Sequence, residues 1–163
     1  MRIALAHDWL VGHRGGEAVL DAIVRALHPL TRDLHLFTMF DDGRPLTPAV
    51  DAVPRTTSVL QRVPGGAERL RRWLLPAYPL AVASLNGAIE REHARKPFSL
   101  LISTSSAAVK SLRGPRTRAK GSEGPGSAPR VAHLCYCHCP ARYLWSRTKE
   151  YGAGENGRLR GLG

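Results

Sequence analysis

The chain has 163 residues, 43% of them hydrophobic, so it can bury one ordinary core but is too short for a two-domain enzyme. Its 24 basic and 13 acidic residues give a formal net charge of +11, and residues 110–163 hold 11 of the basic residues against 3 of the acidic ones. Phosphate-bearing ligands or an anionic lipid surface suit this charge. A nucleic-acid partner is disfavoured because no recognition-helix motif, stacking strand or zinc-finger spacing accompanies the charge.

Cysteine usage and hydropathy indicate the compartment. Cys135, Cys137 and Cys139 lie so close in sequence that they cannot join distant parts of a fold, which makes a reducing compartment the simpler expectation. No apolar stretch reaches the roughly 18 residues that a spanning helix requires, and no signal-peptide pattern follows Met1. We therefore expect a cytoplasmic protein, either soluble or lying at the inner face of a membrane.

The first part of the chain predicts a strand, a helix and a second strand. Residues 2–7 (RIALAH) form a short aliphatic run typical of a buried parallel strand. After a loop over residues 9–16, apolar residues recur at helical spacing from Glu17 until Pro29 ends the pattern. Residues 33–40 (DLHLFTMF) predict the second strand, before a DDGRP turn. This order predicts an α/β fold, Rossmann-like and doubly wound around a mostly parallel sheet.

The middle of the chain is less regular. Residues 51–59 predict a third, weaker strand. The segment after it combines basic and aromatic side chains, namely Arg69, Arg71, Arg72 and Trp73. A peripheral membrane contact and ordinary core packing with a solvated basic face both explain this segment. Pro76 and Pro79 then break the chain, a helix is predicted over residues 80–93, and residues 98–103 (FSLLIS) predict a buried strand.

The last third of the chain contains one more predicted strand. Residues 114–129 are rich in Gly, Pro, Ser and basic residues and predict a flexible surface loop. Residues 131–137 predict the last strand, and Pro140 suits the first turn of a helix. The Gly- and Arg-rich residues 151–163 predict a disordered tail. The expected organisation is one domain over residues 1–150, followed by that tail.

Three segments fall at predicted carboxyl ends of strands, where open parallel sheets bind their ligands. In the first, GHRGGE over residues 12–17, Gly15 and Gly16 can bring backbone amides and a helix N-terminus close to a phosphate or a sugar hydroxyl. The pattern is not GxGxxG, which disfavours a dinucleotide site. A tight strand-to-helix turn, in which the glycines serve only the backbone geometry, explains the same residues.

The other two segments supply polar side chains. In residues 103–110, Ser105 and Lys110 suit a phosphate or a polar acceptor, although a helix cap also explains the serine. In residues 138–143, His138 and Arg142 follow the last strand. The imidazole can donate to a ligand oxygen or carry a proton near neutral pH, and a satisfied structural histidine is the alternative.

The cysteine-rich strand does not predict a metal site. Successive residues of a strand point to opposite faces, so Cys135, Cys137, His138 and Cys139 cannot converge on one tetrahedral centre. Small buried thiols are the ordinary expectation for this pattern. Neither a metal ion nor an organic cofactor is therefore expected.

Four stretches occur in order along the chain: MRIALAHDWL, GHRGGEAVLDAI, LQRVP and CYCHCPARYLW. Together they resemble the N-terminal domain of family 4 glycosyltransferases over about residues 1–150, and their most specific part is the HxPxRYxW run that begins at His138. The resemblance implies one half of a GT-B fold, in which two Rossmann-like domains enclose the active site and the N-terminal one faces the acceptor. The C-terminal donor-binding domain is expected to be absent from this chain.

The resemblance also implies an activity and its residues. The implied enzyme is a retaining, metal-independent glycosyltransferase that moves a sugar from a nucleotide-sugar to a glycan or lipid-linked acceptor in polysaccharide synthesis. Gly15 and Gly16 match the family's glycine loop near the donor phosphates, and His138 matches the strand-end histidine of the cleft and is the implied catalytic residue. Lys110 and Arg142 match the family less closely.

Two other functions remain open at this point. A non-catalytic module could keep the acceptor groove and act with a separate C-terminal donor-domain chain. A nicotinamide-dependent oxidoreductase would require GxGxxG and an acidic residue at the end of the second strand. The glycine motif is missing, but Asp41 and Asp42 come near the required place.

Overall fold

The structure, a computed structural model, describes residues 1–12, 14–65, 73–105, 107–117 and 129–138. The strands are β1 (Ile3–Leu10), β2 (Leu34–Asp41), β3 (Arg55–Thr57), β4 (Leu100–Ser105) and β5 (His133–Cys137). The helices are α1 (Gly15–Leu27), α2 (Pro48–Asp51) and α3 (Tyr78–Arg95), with 3₁₀ turns η1 (Val59–Arg62), η2 (Leu75–Ala77) and η3 (Val109–Ser111). The five strands form one parallel sheet in the order β3-β2-β1-β4-β5. The predicted α/β, Rossmann-like fold class is confirmed.

Each segment predicted as a strand overlaps one, and two of the boundaries that differ have a clear physical reason. β1 continues past His7 because Trp9 and Leu10 pair with the end of β2. The helix α3 begins at Tyr78, so Pro79 lies in its first turn and does not break it. A proline is tolerated there because the first amides of a helix have no partner within the helix.

Two apolar layers cover the two faces of the sheet, because side chains alternate along each strand. On one face, Ile3 and Leu5 of β1 pack with Leu20 and Val24 of α1. The layer on the other face includes Ala4, Ala6, Phe37, Ala81, Leu85, Ala88 and Ile89. The central strands are thus buried on both sides, as the continuous apolar runs in the sequence predict.

The strand β5 is the edge strand beyond β4 and is exposed along most of its length. Cys135 and Cys137 are exposed, so the expectation of buried thiols was wrong for both of them; Cys139 lies outside the described residues. Leu134 and Tyr136 are 60% and 52% exposed. Among the described strands β5 pairs on one side only. Whether a strand residue is buried depends on the layers that cover the two faces of the sheet, and the sequence of the strand itself does not specify those layers.

The two ends of the loop predicted over residues 114–129 are tied to each other. The N–H of Thr117 donates to the carbonyl of Pro129 at 2.8 Å, and the N–H of Val131 donates to the carbonyl of Pro115 at 2.9 Å. A Cβ added to Gly114 would stand 1.8 Å from the carbonyl oxygen of Val131, so this close approach of two backbones requires glycine. Residues 118–128 and the predicted tail, 151–163, lie outside the described residues.

The basic and aromatic segment that precedes η2 is described only at its end. Trp73 is 78% exposed, which excludes core packing for this side chain. Arg69, Arg71 and Arg72 lie outside the described residues. No helix in the described part of the chain combines the length and the apolar character needed to cross a membrane.

Candidate functional site

The carboxyl ends of β1, β4 and β5 meet beside the first turn of α1. The ring of His7 contacts Thr104 of β4, and the N–H of His138, which follows β5, donates to the carbonyl of Ser105 at 3.1 Å. A Cβ added to Gly16 would stand 3.6 Å from Nε2 of His7 and 3.9 Å from Nε2 of His138. We call the region around Gly15, Gly16, His7 and His138 the crevice. It brings together Gly16 and His138, both predicted from the sequence, and His7, which sequence reasoning missed.

The glycine loop opens α1 toward solvent. Arg14 is extended and Gly15 begins the helix; nothing lies within 4 Å of a Cβ added at Gly15. Amides in the first turn of a helix lack intrahelical partners, and the helix dipole favours an anion beside them. Glu17 opposes this effect, because its buried carboxylate accepts from the N–H of Arg14 at 3.2 Å and places a negative charge in the same turn. An anion therefore fits best at the outer end, near Gly15.

His138 carries a ring nitrogen for which the described residues provide no partner. Its ring packs edge-on against Tyr136, with the ring centroids 5.2 Å apart, and its centroid lies 6.4 Å from that of His7. Its Nε2 atom is buried and has no hydrogen-bond partner in the part of the chain that the structure describes. Buried polar atoms are nearly always hydrogen-bonded, so an unpaired one needs an explanation. This atom is therefore a candidate for a ligand contact.

The ring of His7 is buried and is oriented by β4. Its Nδ1 lies 3.1 Å from the carbonyl oxygen of Thr104 and 2.5 Å from the Oγ1 of the same residue. Because a carbonyl oxygen can only accept, we assign the ring hydrogen to Nδ1. The Nε2 atom of His7 then presents its lone pair in the crevice, near Gly16.

Burial also determines the charge of His7. Loss of hydration lowers the pKa of its imidazole, and the neighbouring His138 lowers it further. The carboxylates of Asp8 and Glu17 act in the opposite direction but do not outweigh burial. His7 is therefore neutral at pH 7, which leaves its Nε2 available as an acceptor.

Asp8 ties the end of β1 to the segment that follows β4. Its side chain is buried, and its carboxylate accepts from the N–H groups of Ala107 at 2.8 Å, Ala108 at 2.9 Å and Val109 at 3.0 Å. The hydroxyl of Ser105 donates to the same carboxylate at 3.0 Å. Asp8 thus caps the turn that leads into η3, a role for which the sequence suggested the hydroxyl residues.

The remaining predicted ligand residues are placed as follows. Ser105 is buried and its hydroxyl is engaged by Asp8, so the geometry favours the capping interpretation over a direct ligand contact. Lys110 lies half-buried in η3, directly after the last of the three amides that Asp8 holds. Arg142 lies outside the described residues.

The carboxylates at the end of β2 are occupied. Asp41 pairs with Arg55 through Oδ2 at 3.0 Å and accepts from the N–H of Gly43 through Oδ1 at 2.8 Å. Asp42 accepts from the N–H of Arg44 at 3.0 Å. A nicotinamide dinucleotide requires a carboxylate near this place to bind its ribose, so the geometry disfavours the oxidoreductase interpretation. Within the described ranges, no group of three or more His, Cys, Asp or Glu side chains is arranged to hold a metal ion.

A second concave feature lies beside α3. This groove has a volume of about 330 Å³ and is lined by Pro79, Val82, Ala83, Asn86, Glu90, Ser111, Arg113 and Arg130. Its one acidic lining residue, Glu90, is already engaged by Arg130 at 3.7 Å and by the N–H of Arg116 at 3.2 Å. The groove shares no lining residue with the crevice, and the unpaired ring nitrogen lies in the crevice.

Comparisons with known proteins give one structural likeness. No protein-family model and no curated protein matches the chain. The fold is similar to that of a solved structure described as the lipopolysaccharide outer core galactosyltransferase WaaB in its apo form. The two chains are 12% identical with a TM-score of 0.39, and the match covers 65% of this chain and 27% of that one. A likeness at this level concerns the chain path alone.

Proposed function

We propose that this chain is the acceptor-side, N-terminal domain of a family 4 glycosyltransferase, one half of a GT-B fold. The proposed reaction transfers a sugar from a nucleotide-sugar to a glycan or lipid-linked acceptor, with retention at the anomeric carbon and without a metal or organic cofactor. The proposed domain spans residues 1–150, and the proposed location is the cytoplasm, at the inner face of a membrane.

One observation carries this proposal. The buried Nε2 of His138, which has no hydrogen-bond partner among the residues that the structure describes, lies beside the glycine turn of α1 at the carboxyl edge of a parallel sheet. Such an edge is the usual ligand site of this fold. A ring nitrogen and open helix amides together suit a ligand that carries both hydroxyl and phosphate oxygens, and a nucleotide-sugar has both.

The roles proposed for Gly15, Gly16 and His138 are supported by their positions in the crevice, and those of Lys110 and Arg142 rest on the family resemblance alone. The amides of the first turn, at Gly15 and Gly16, stabilise the departing diphosphate through the helix dipole. His138 hydrogen-bonds an oxygen of the transferred sugar or its acceptor and so orients the reacting groups. Lys110 and Arg142 add positive charge that would balance the diphosphate.

The nucleotide would be held by a second Rossmann-like domain. We propose that this donor domain is supplied either by a longer form of the protein or by a separate chain. On its own, the domain described here would then bind parts of the substrates but turn over slowly or not at all.

Activity with an added donor domain tests the proposal. A panel of nucleotide-sugars is incubated with the chain, alone and with the C-terminal domain of a family 4 glycosyltransferase, and the released nucleoside diphosphate is measured. We expect turnover only in the combined sample, and a loss of about a hundredfold or more in His138→Ala.

The matched control is His28→Ala, because His28 is an exposed histidine at the C-terminal end of α1. Its turnover should equal that of the wild type. Turnover that survives in His138→Ala would contradict the proposed role of this ring. Ligand binding without turnover in any combination would favour a non-catalytic acceptor-binding module instead.

Membrane contact is a separate part of the proposal. Trp73 is exposed, and three arginines, Arg69, Arg71 and Arg72, precede it closely in sequence. An exposed indole beside guanidinium groups suits the interface of an anionic bilayer. We expect the chain to co-sediment with vesicles containing phosphatidylglycerol and to bind several-fold more weakly after Trp73→Ala. Equal binding to purely zwitterionic vesicles would contradict an electrostatic contact.

A further inference from the structure

We propose that His7 is a ligand-contacting residue that works as a pair with His138: the two rings hold one hydroxyl group of a sugar between their Nε2 atoms. In this arrangement Nε2 of His7 accepts the hydrogen of the hydroxyl, and Nε2 of His138 donates to its oxygen. This inference rests on the proposed function, because it assigns the crevice to the sugar part of the substrate.

The first argument is the convergence of two ring nitrogens. Both Nε2 atoms lie within 4 Å of the position that a Cβ on Gly16 would take, at 3.6 Å for His7 and 3.9 Å for His138. Both nitrogens therefore lie on the same side of Gly16, and an oxygen that approaches from outside the helix, at van der Waals distance from the Cα of Gly16, faces both rings. Because Gly16 has no side chain, no β-carbon blocks this approach.

The second argument is the hydrogen-bond state of the two rings. Thr104 fixes the ring hydrogen of His7 on Nδ1, so Nε2 of His7 can only accept. The Nε2 of His138 has no partner among the described residues. With the ring hydrogen of His138 on Nε2, the two rings offer one acceptor and one donor on the same side of Gly16. A hydroxyl donates once and accepts as well, and it satisfies both nitrogens at once.

The third argument is charge, which selects a neutral group over an anion. The carboxylates of Asp8 and Glu17 act electrostatically on the ring of His7, and both side chains are buried. A phosphate oxygen beside the same ring would be repelled by these two charges. The crevice therefore divides into an outer part at Gly15 that suits an anion and an inner part that suits a sugar hydroxyl.

Two isosteric substitutions of His7 separate this role from a structural one. The amide of His7→Asn occupies the place of Nδ1, so this variant keeps the bond to the carbonyl of Thr104 and loses the acceptor at Nε2. The amide of His7→Gln reaches the place of Nε2 instead and gives up the bond to Thr104. A structural role and a ligand-binding role thus predict opposite orders for the two variants.

The experiment measures dissociation constants for the whole chain by calorimetry. The probes are UDP-glucose, UDP-galactose and GDP-mannose, each compared with its own nucleoside diphosphate, together with inorganic pyrophosphate. For at least one sugar we expect tighter binding than for the matching diphosphate. This preference should fall about five- to tenfold in His7→Asn, the effect of one lost hydrogen bond, and persist in His7→Gln. Urea unfolding of each variant establishes that it is folded.

The outcomes separate this inference from the proposed function. Retention of the sugar preference in His7→Asn, or its loss only in His7→Gln, would overturn the ligand role of His7. The absence of a preference for any sugar would overturn it as well. Pyrophosphate should bind wild type and both variants equally, because it tests only the outer part of the crevice. If pyrophosphate fails to bind while the sugar preference follows the predicted order, the anion site is wrong and the hydroxyl site stands.

Discussion

The polar side chains at the amino and carboxyl edges of the sheet differ in their hydrogen bonding. At the amino edge, the guanidinium of Arg2 donates to the carbonyls of Glu92 at 3.1 Å and Lys96 at 2.7 Å, contacts the Glu92 carboxylate at 3.2 Å and lies 4.3 Å over the ring of Phe98. The Nε atom of Arg2 has no hydrogen-bond partner among the described residues either, but it lies 3.5 Å from the carboxylate of Asp33, an opposite charge. At the carboxyl edge, Asp8 is equally well bonded, whereas Nε2 of His138 has neither a hydrogen-bond partner nor an ion-pair partner within the described part of the chain. The amino edge is therefore a structural joint. For the carboxyl edge we propose that the free ring nitrogen of His138 binds a ligand, and the following predictions test this contrast.

The largest effect is expected for Asp8→Ala. This change removes a buried acceptor from the amides of Ala107, Ala108 and Val109; the amide of Ala107 keeps its second bond, to Oγ of Ser105 at 3.2 Å. We expect a loss of about 3 kcal/mol or more in the free energy of unfolding. Urea denaturation followed by circular dichroism measures it. The Asp8→Asn variant keeps one acceptor oxygen, so its stability should lie between those of the wild type and Asp8→Ala. A loss below about 1 kcal/mol in Asp8→Ala would mean that the amides after β4 find other hydrogen-bond partners.

An intermediate effect is expected at the amino edge for Arg2→Ala. The substitution removes the contacts to Glu92 and the packing over Phe98, but both Glu92 and Asp33 retain some access to solvent. We expect a loss of only about 1–2 kcal/mol in the free energy of unfolding, because solvent screens these partly exposed charges. Calorimetric titration with nucleotide-sugars should give an unchanged dissociation constant in this variant. Weaker binding would break the distinction between a structural edge and a ligand-binding edge.

A smaller effect of the opposite sign is expected for His138→Phe. The phenyl ring keeps the edge-on contact with Tyr136 and removes the buried, unpaired Nε2. We expect the free energy of unfolding to stay the same or to rise by up to about 1 kcal/mol, because an unsatisfied polar atom is costly. The same variant should lose the preference for a nucleotide-sugar over its diphosphate. Marked destabilisation in urea would indicate that the ring serves the fold and not a ligand.

The sequence predicts the sheet well because the buried strands are continuous apolar runs, a signal that local composition carries. It predicts Gly16 and His138 for a similar reason, since each marks the end of a recognisable element. The roles of His7 and Asp8 stay hidden because their partners, Thr104 and the amides after Ser105, lie about 100 residues away in sequence. The one local signal is a His-Asp pair at the end of the first strand, placed at the edge where such sheets bind ligands.

The exposure of the thiols is hidden for a different physical reason. Cys135 and Cys137 alternate with apolar residues as they would in a buried strand. Their burial depends on whether another strand or helix covers β5, and no pattern within β5 contains that information. In the same way, the cap of the segment after β4 comes from Asp8 on another strand and not from the serines nearby, because the central strand β1 ends directly beneath it.

The smallest effect concerns pH. Burial holds the pKa of His7 below its ordinary value of about 6.5. As the pH falls through that value, the unfolded chain takes up a proton on this ring that the folded chain does not. The free energy of unfolding therefore decreases from about pH 6.5 downward, until the folded ring is also protonated. His35, His93 and His133 act in the same direction, because burial lowers the pKa of each.

We expect His7→Asn, which keeps the bond to Thr104, to lose less stability between pH 7.5 and pH 5 than the wild type does, as measured by urea midpoints. An identical decline in both proteins would mean that folding does not lower the pKa of His7, so that the ring would become charged, and unable to accept the sugar hydroxyl, as the pH falls below about 6.5.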